Sequence, residues 1–431
     1  VGEERKDTAS TQTVTQGKQP AKGARKERGI LIPPAWQTLL LPVLAVFTGL
    51  VIGAIVIVIT DAAVVATYRN FFRAPGTALA ATWHSIATAY GALLYGSLGN
   101  PREVYEGIRL YLSTGDNTLF LRAIWPITES LVAATPYIFG GLAVALGFRC
   151  GLFNIGAEGQ LGIGALAAAW VGYRITNLPA FIHLPLALLA GALGGAIWAA
   201  IPGYLKAKTG AHEVVNTIMM NWISFRLSDW LLNGPMKAPG YRPITPNIEP
   251  TAALPRFFPP PIRFHAGFFL ALIVAGIVYW FLFKTTLGFE IRTVGANPDA
   301  ARYAGMSITR NIMLAMVLSG ALAGLAGTSQ VLGVDYWVGQ GFTAGYGFDS
   351  IALALLGKSH PFGVVLASLL FGTLRSGATR MQSLAGIPID IISIIQGLVI
   401  VFIAAPAIIR WLYRIRVERA EEVVLTRGWG K

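Results

Sequence analysis

Charge is scarce in this sequence. Only 13% of its 431 residues are Asp, Glu, Lys or Arg, where a soluble domain carries about 25%. With 54% apolar residues and a mean hydropathy of +0.58, that shortage excludes a soluble globular chain. Cysteine is nearly missing as well. Cys150 stands alone, so no internal disulfide forms and the residue reads as small packing. The five histidines (His84, His183, His212, His265, His360) never fall three to five residues apart, which leaves no metal-ligand spacing. No G-x-x-x-x-G-K-[ST] occurs; Gly339 and Gly341 begin a Gly-rich stretch, but no basic residue follows. The chain therefore cannot hold ATP by that mechanism, and any ATP-driven motor is a separate protein. No nucleophile–base pair shares one depth, which argues against an intramembrane enzyme.

What is present is a succession of apolar blocks, each near the length of about 20 residues that crosses a bilayer. Spans are expected at about 39–59, 124–148, 151–173, 184–204, 213–232, 268–283, 312–332, 364–378 and 391–409, with a broken segment at 337–356. This predicts an all-α polytopic bundle of about eight to ten transmembrane helices. The formal charge of +13 gathers at the chain ends and in short loops, as cytoplasmic membrane flanks do, and does not point to nucleic acid. Residues 1–33, with Arg5, Lys6 and Lys18 and few large apolar side chains, read as a disordered basic cytoplasmic tail. Residues 34–123 read as an uncleaved first span and an outer interfacial segment, because stretches such as REVYEGIRLYL (102–112) are amphipathic. Residues 124–410 form the main transmembrane domain, and 411–431 a second cytoplasmic tail. Span alternation puts both ends in the cytoplasm.

Two glycine-broken polar segments sit at membrane depth, GLFNIGAEGQ (151–160) and GYGFDSIALALLG (345–357). Each half also carries a basic loop, at 205–214 and 286–310. Paired, interrupted segments of this kind point to a transporter's binding site. Glu158 and Asp349 stand out there, because a carboxylate at a helix centre costs about 2.5–3.5 kcal/mol on insertion scales. Two roles fit each of them: a hydrogen-bonded hinge holding the helix break, or a contact to solute. Asn154, Gln160 and Asn221 offer one acceptor and two donors apiece, suited either to a nucleobase edge or sugar hydroxyl, or to interhelical bonding. Residues 213, 217, 220 and 221 share one helical face. Phe153, Trp222 and Phe348 offer faces for stacking on a base, or for ordinary packing.

These strings resemble a known family. ATPYIFGGLAVALGFRCGLFNIGAEGQLGIGALAAAW (134–170), EVVNTIMMNW (213–222) and VGANPDAARYAGMSITRNIMLAMVLSGALAGLAG (294–327) resemble the permease subunits of bacterial nucleoside ABC importers. That group belongs to the simple-sugar and branched-chain amino-acid superfamily. GLFNIGAEGQ is the element that separates it from ribose-type and amino-acid permeases. The resemblance covers about 124–410 and implies a type II importer fold with broken helices. It also implies a substrate path between two permease subunits, an inner-membrane location, and partners. These are an ATP-binding subunit carrying the ATP and Mg, a second permease, and an extracytoplasmic substrate-binding lipoprotein.

Residues 299–305, Asp-Ala-Ala-Arg-Tyr-Ala-Gly, are similar to the E-A-A-x-x-x-G signature of importer coupling loops, with Asp299 replacing Glu. Ala300, Ala301 and Ala304 make a small-residue surface for a groove on the ATPase. Asp299 suits the helix N-terminus and Gly305 its end. The same machinery carrying a simple sugar or another neutral polar solute is the near alternative. An ion-coupled transporter using Glu158 or Asp349 is the more distant one, and the 286–310 loop speaks against it.

Overall fold

The computed structural model describes residues 30–31, 34–388 and 390–416. The basic tails read at 1–33 and 411–431 lie outside them, except for 30–31 and 411–416. The only strands among the described residues are two short ones. β1 (Ile30–Leu31) pairs in parallel with β2 (Ile415–Arg416), which brings the start and end of the described chain together.

Everything else that is regular is helical. α1 (Pro34–Thr60) is followed by the short α2 (Ala62–Tyr68), α3 (Pro75–Leu98) and the amphipathic α4 (Pro101–Thr114). Next come α5 (Thr118–Arg149), α6 (Ala157–Arg174), α7 (Ala180–Thr209) and α8 (Glu213–Asn233). After the Pro-rich stretch 234–266 follow α9 (Gly267–Lys284), α10 (Thr286–Ala296) and the six-residue α11 (Pro298–Tyr303). α12 (Ile308–Gln330) ends in a π-turn over Val331–Asp335. α13 (Tyr346–Leu356), α14 (Pro361–Ala385), α15 (Asp390–Ala404) and α16 (Pro406–Leu412) complete the chain.

Six of these helices are long and apolar enough to cross a membrane: α1, α5, α7, α9, α12 with its π-turn, and α14. A seventh arises if the sharply bent α15–α16 pair counts as one span. α3, α6 and α8 have the length but fall short in apolarity. α5 is the spine: 83% of its most apolar window is buried, against 28% for α1 and for α7. α1 and α7 accordingly turn large apolar side chains such as Phe47, Ile55, Leu189 and Ile197 outward, as lipid-facing helices do.

α3 goes deeper into the bundle than an interfacial segment. It packs along α14, where a Cβ on Gly96 would meet the Arg380 side chain and one on Gly377 would meet the Leu93 carbonyl. Its Gly, Ser, Thr, His and Tyr content lowers its hydropathy, and small residues such as Gly96 permit the close approach. α4 keeps the amphipathic, largely exposed character read at 102–112.

α6, α7 and α12 cross at a knot of glycines. A Cβ on Gly324 would run into the Gly191 carbonyl, one on Gly195 into the Gly320 carbonyl, and one on Gly164 into Gly324. The obstacles are backbone atoms, so no side chain can move aside. Gly324→Val is expected to destabilise the protein beyond the 1–3 kcal/mol typical of overpacking. Gly276→Ala on α9, where nothing lies within 4 Å, should be near neutral. Thermal unfolding of both variants in detergent checks this, and equal midpoints would show that the crossing tolerates separation.

Candidate functional site

The chain breaks its helical run where α5 ends. Gly151 takes a left-handed φ of +74°, and residues 152–156 run back along α5 to the middle of α12 before α6 starts. The exposed backbone of such a break must be satisfied inside the protein. Asn154 does much of this. Its Nδ2 donates to Gln160 Oε1 and to Ser319 Oγ, both at 2.9 Å, and its Oδ1 accepts from Gly156 N at 3.0 Å and Gln160 Nε2 at 3.1 Å. Ser319 Oγ in turn donates to the Ala143 carbonyl, tying α12 to α5. The start of α6 has no side-chain cap of its own. Asn221 of α8 supplies one, with Oδ1 accepting from Gly159 N at 2.9 Å and Nδ2 donating to the Ile155 carbonyl at 3.0 Å.

Glu158 links the two broken segments. Its Oε1 accepts from Gly345 N at 2.9 Å and its Oε2 from Gly347 N at 2.6 Å, so it caps α13 from another helix. The N-termini of α6 and α13 face each other, and each carries partial positive charge; the carboxylate between them offsets both. Gly347 makes the approach possible, since a Cβ there would strike the Glu158 backbone.

One turn along α13, Asp349 Oδ2 accepts from the Tyr137 hydroxyl at 2.7 Å. Arg375 of α14 donates to the Tyr137 oxygen at 2.8 Å and to the Ala344 carbonyl at 3.3 Å, lies 3.6 Å from Asp349, and stacks 4.3 Å over the Tyr346 ring. Sequence reasoning missed Tyr137, Ser319 and Arg375. For Arg375 a signal was present, a guanidinium inside an apolar span.

The eight residues read as solute-binding divide into two groups. Asn154, Glu158, Gln160 and Asn221 are buried, with their hydrogen bonds directed to one another, to Ser319 and to backbone. Phe153, Trp222 and Phe348 are 37%, 56% and 46% exposed. Phe153 rests against Phe148, and Trp222 meets Phe225 edge-on. Asp349 stands between the groups, lining a cavity of about 420 Å³ with Arg375, Ser393 and Gln396. A second groove of about 410 Å³ lies between α8 and residues 338–344, lined by Phe225, Ser228, Asp229 and Thr343.

The polar stretch 286–310 folds as α10 and α11. Asn297 caps α11, with Oδ1 accepting from Asp299 N and Ala300 N at 3.0 Å each. Gly305, at φ +80°, follows its end. Asp299, Ala300 and Gly305 are exposed. Ala301 is buried, so its methyl packs inward and is not part of the exposed surface. Tyr303, absent from the sequence-based set, is 97% exposed.

Residues 127–404 match the family described as branched-chain amino acid transport system / permease component. The chain is 38% identical to the guanosine ABC transporter permease of Bacillus subtilis, over 87% of this chain and 95% of that one. It is 34% identical to the nucleoside ABC transporter permease NupB of Lactococcus lactis, over 73% and 90%. It is 39% identical to a glucose ABC transporter permease of Haloferax volcanii, over 64% and 75%. No solved structure matches. Broken helices that meet inside an all-α bundle and these matches together identify the chain as a member of the branched-chain amino acid transport system permease family.

Proposed function

We propose that this chain is the membrane-spanning permease subunit of an ATP-driven importer for nucleosides, in a bacterial cytoplasmic membrane. The observation that carries the reading is the near end-to-end match to a guanosine permease, with a second nucleoside permease behind it. The glucose permease matches at similar identity but over a smaller share of the chain, which keeps a sugar as the second reading.

The motor is a separate ATPase, which docks on the exposed surface of α10–α11 around Asp299, Ala300, Tyr303 and Gly305. That end of the bundle is cytoplasmic. Both termini lie on the cytoplasmic side too, in keeping with the β1–β2 pairing of residues 30–31 with 415–416. A second permease chain and an extracytoplasmic binding lipoprotein complete the complex. Among the residues facing a solute we place Phe153, Trp222, Phe348 and Asp349. Asn154, Glu158, Gln160 and Asn221 hold the broken helices in position.

Uptake of labelled uridine and adenosine by cells with and without the gene tests this, with ribose, glucose and leucine alongside. Selective loss of nucleoside uptake is expected. Intact nucleoside uptake with loss of glucose or ribose uptake would overturn the substrate and leave the importer.

A further inference from the structure

On α14, Arg375, Ser376, Thr379, Arg380 and Ser383 fall at i, i+1, i+4, i+5 and i+8, one face of the helix. Two guanidiniums and three hydroxyls on one face of an otherwise apolar span need protein or water beside them, not lipid. The face opens onto a half-open cavity of about 560 Å³ between α3, α5, α13 and α14, within the 300–1,000 Å³ or so of small-molecule sites.

Some of the charge lining this cavity is already paired. Glu129 is taken by Arg263, and Arg375 by Tyr137 and Asp349. Arg380 lies 5.3 Å from the Trp125 ring centroid and has no carboxylate partner among the described residues. The Trp125 indole N–H is buried without an acceptor. What remains is a guanidinium and an indole N–H that donate, and the Ser376 and Thr379 hydroxyls that donate and accept, beside the Trp125 and Tyr346 rings, which Arg380 and Arg375 already face. A ligand that suits them is a planar ring carrying carbonyl oxygens or ring nitrogens, joined to hydroxyls.

Arg375 also lines the 420 Å³ cavity, where Gln396 Nε2 is another buried donor without a partner among the described residues. Arg375 is the one residue that lines both spaces. A swing of this one side chain off the Ala344 carbonyl and the Tyr137 hydroxyl would join them.

We propose that this pair of cavities is a nucleoside-binding site inside a single permease chain, with Arg375 as the movable partition between its two compartments. The proposal rests on the nucleoside reading above and adds a site that none of the aromatic residues singled out in the sequence belongs to.

Cys150 is buried and is the chain's one cysteine, so an introduced thiol is the one accessible thiol of this chain, and modification is read on this subunit after its separation. The test uses the complete importer in membranes, carrying Thr379→Cys, exposed to a membrane-impermeant thiosulfonate from the outer face. Modification is expected, and uridine at ten times its Kd should slow it about elevenfold, the factor 1 + [L]/Kd. In a second variant, Ser393→Cys, modification should rise several-fold once Arg375→Ala is added with Asp349→Asn, which spares an unpaired carboxylate.

Absence of modification at Thr379→Cys, or modification that uridine does not slow, would overturn the site. Slowing by uridine 5′-monophosphate but not by uridine would overturn the neutral ligand class. An unchanged rate at Ser393→Cys would overturn the partition. Nucleoside uptake by the unmodified importer is measured in parallel: if it is intact while protection fails, the site is wrong and the function stands.

Discussion

Glu158→Ala is expected to leave little folded protein in the membrane. The carboxylate accepts two backbone N–H groups of the α13 start, from Gly345 and Gly347. Hydrogen bonds to a charged group contribute about 1.5–3 kcal/mol each. Losing both costs about 3–6 kcal/mol, a large part of the 5–15 kcal/mol or so that holds a typical domain folded. Alanine also leaves the buried Gly347 N–H without this acceptor and two adjoining helix N-termini with no anion between them. Glu158→Gln keeps the shape and one acceptor oxygen, so it should fall between alanine and wild type. Size-exclusion profiles and thermal midpoints of the detergent-solubilised variants measure the effect. If Glu158→Ala folds like wild type and loses only transport, the carboxylate acts on the solute and the clasp reading is wrong.

The two roles that the sequence left open for Glu158 separate only in three dimensions. Apolar block lengths locate the spans, and the polar, glycine-rich strings at 151–160 and 345–357 mark where helices break. The first break falls inside its string, with α6 beginning at Ala157, whereas the second lies at 336–345, ahead of the string 345–357, which is almost entirely the helix α13 (Tyr346–Leu356). Their meeting joins residues 187 and 189 positions apart in sequence, and helical periodicity carries no information at that range. For the same reason Asn154, Gln160 and Asn221 were visible as amides in apolar surroundings, while Ser319 and the backbone groups that saturate them were not. The inward face of α8 at 213, 217, 220 and 221 was legible, because a helix repeats locally. α3 lacks a clear apolar block in the sequence because Gly, Ser, Thr, His and Tyr interrupt it, although Gly96 is what lets it lie against α14. Arg375 escaped notice because it sits toward the polar end of its span, where a charge reads as a membrane flank. Only the structure sets it beside Tyr137 and Asp349.

Tyr303→Ala is expected to detach the ATPase or uncouple it while leaving the permease folded. α11 is only six residues long, too short to be stable by its own propensity. It is held by the Asn297 cap, by Ala301 buried beneath it, and by the turn at Gly305. That anchoring presents Tyr303 at 97% exposure, next to the exposed Arg302 and Ala304. At that exposure the ring packs against almost nothing among the described residues, so removing it should barely change stability. Tyr and Arg are over-represented among interface hot spots, where truncation costs about 2–4 kcal/mol, or roughly 30- to 1,000-fold in Kd. Copurification of the ATPase with Tyr303→Ala should fall by that order, and nucleoside uptake with it. Ala301→Leu gives the contrast: it should lower the thermal midpoint, because the methyl it replaces points into the protein. If Tyr303→Ala retains both the ATPase and transport, α11 is not the docking surface and the lever between ATP hydrolysis and the broken helices lies elsewhere on this end of the bundle. The 206–213 turn, where Lys206 pairs with Glu213 at 2.8 Å, would then be the next segment to test.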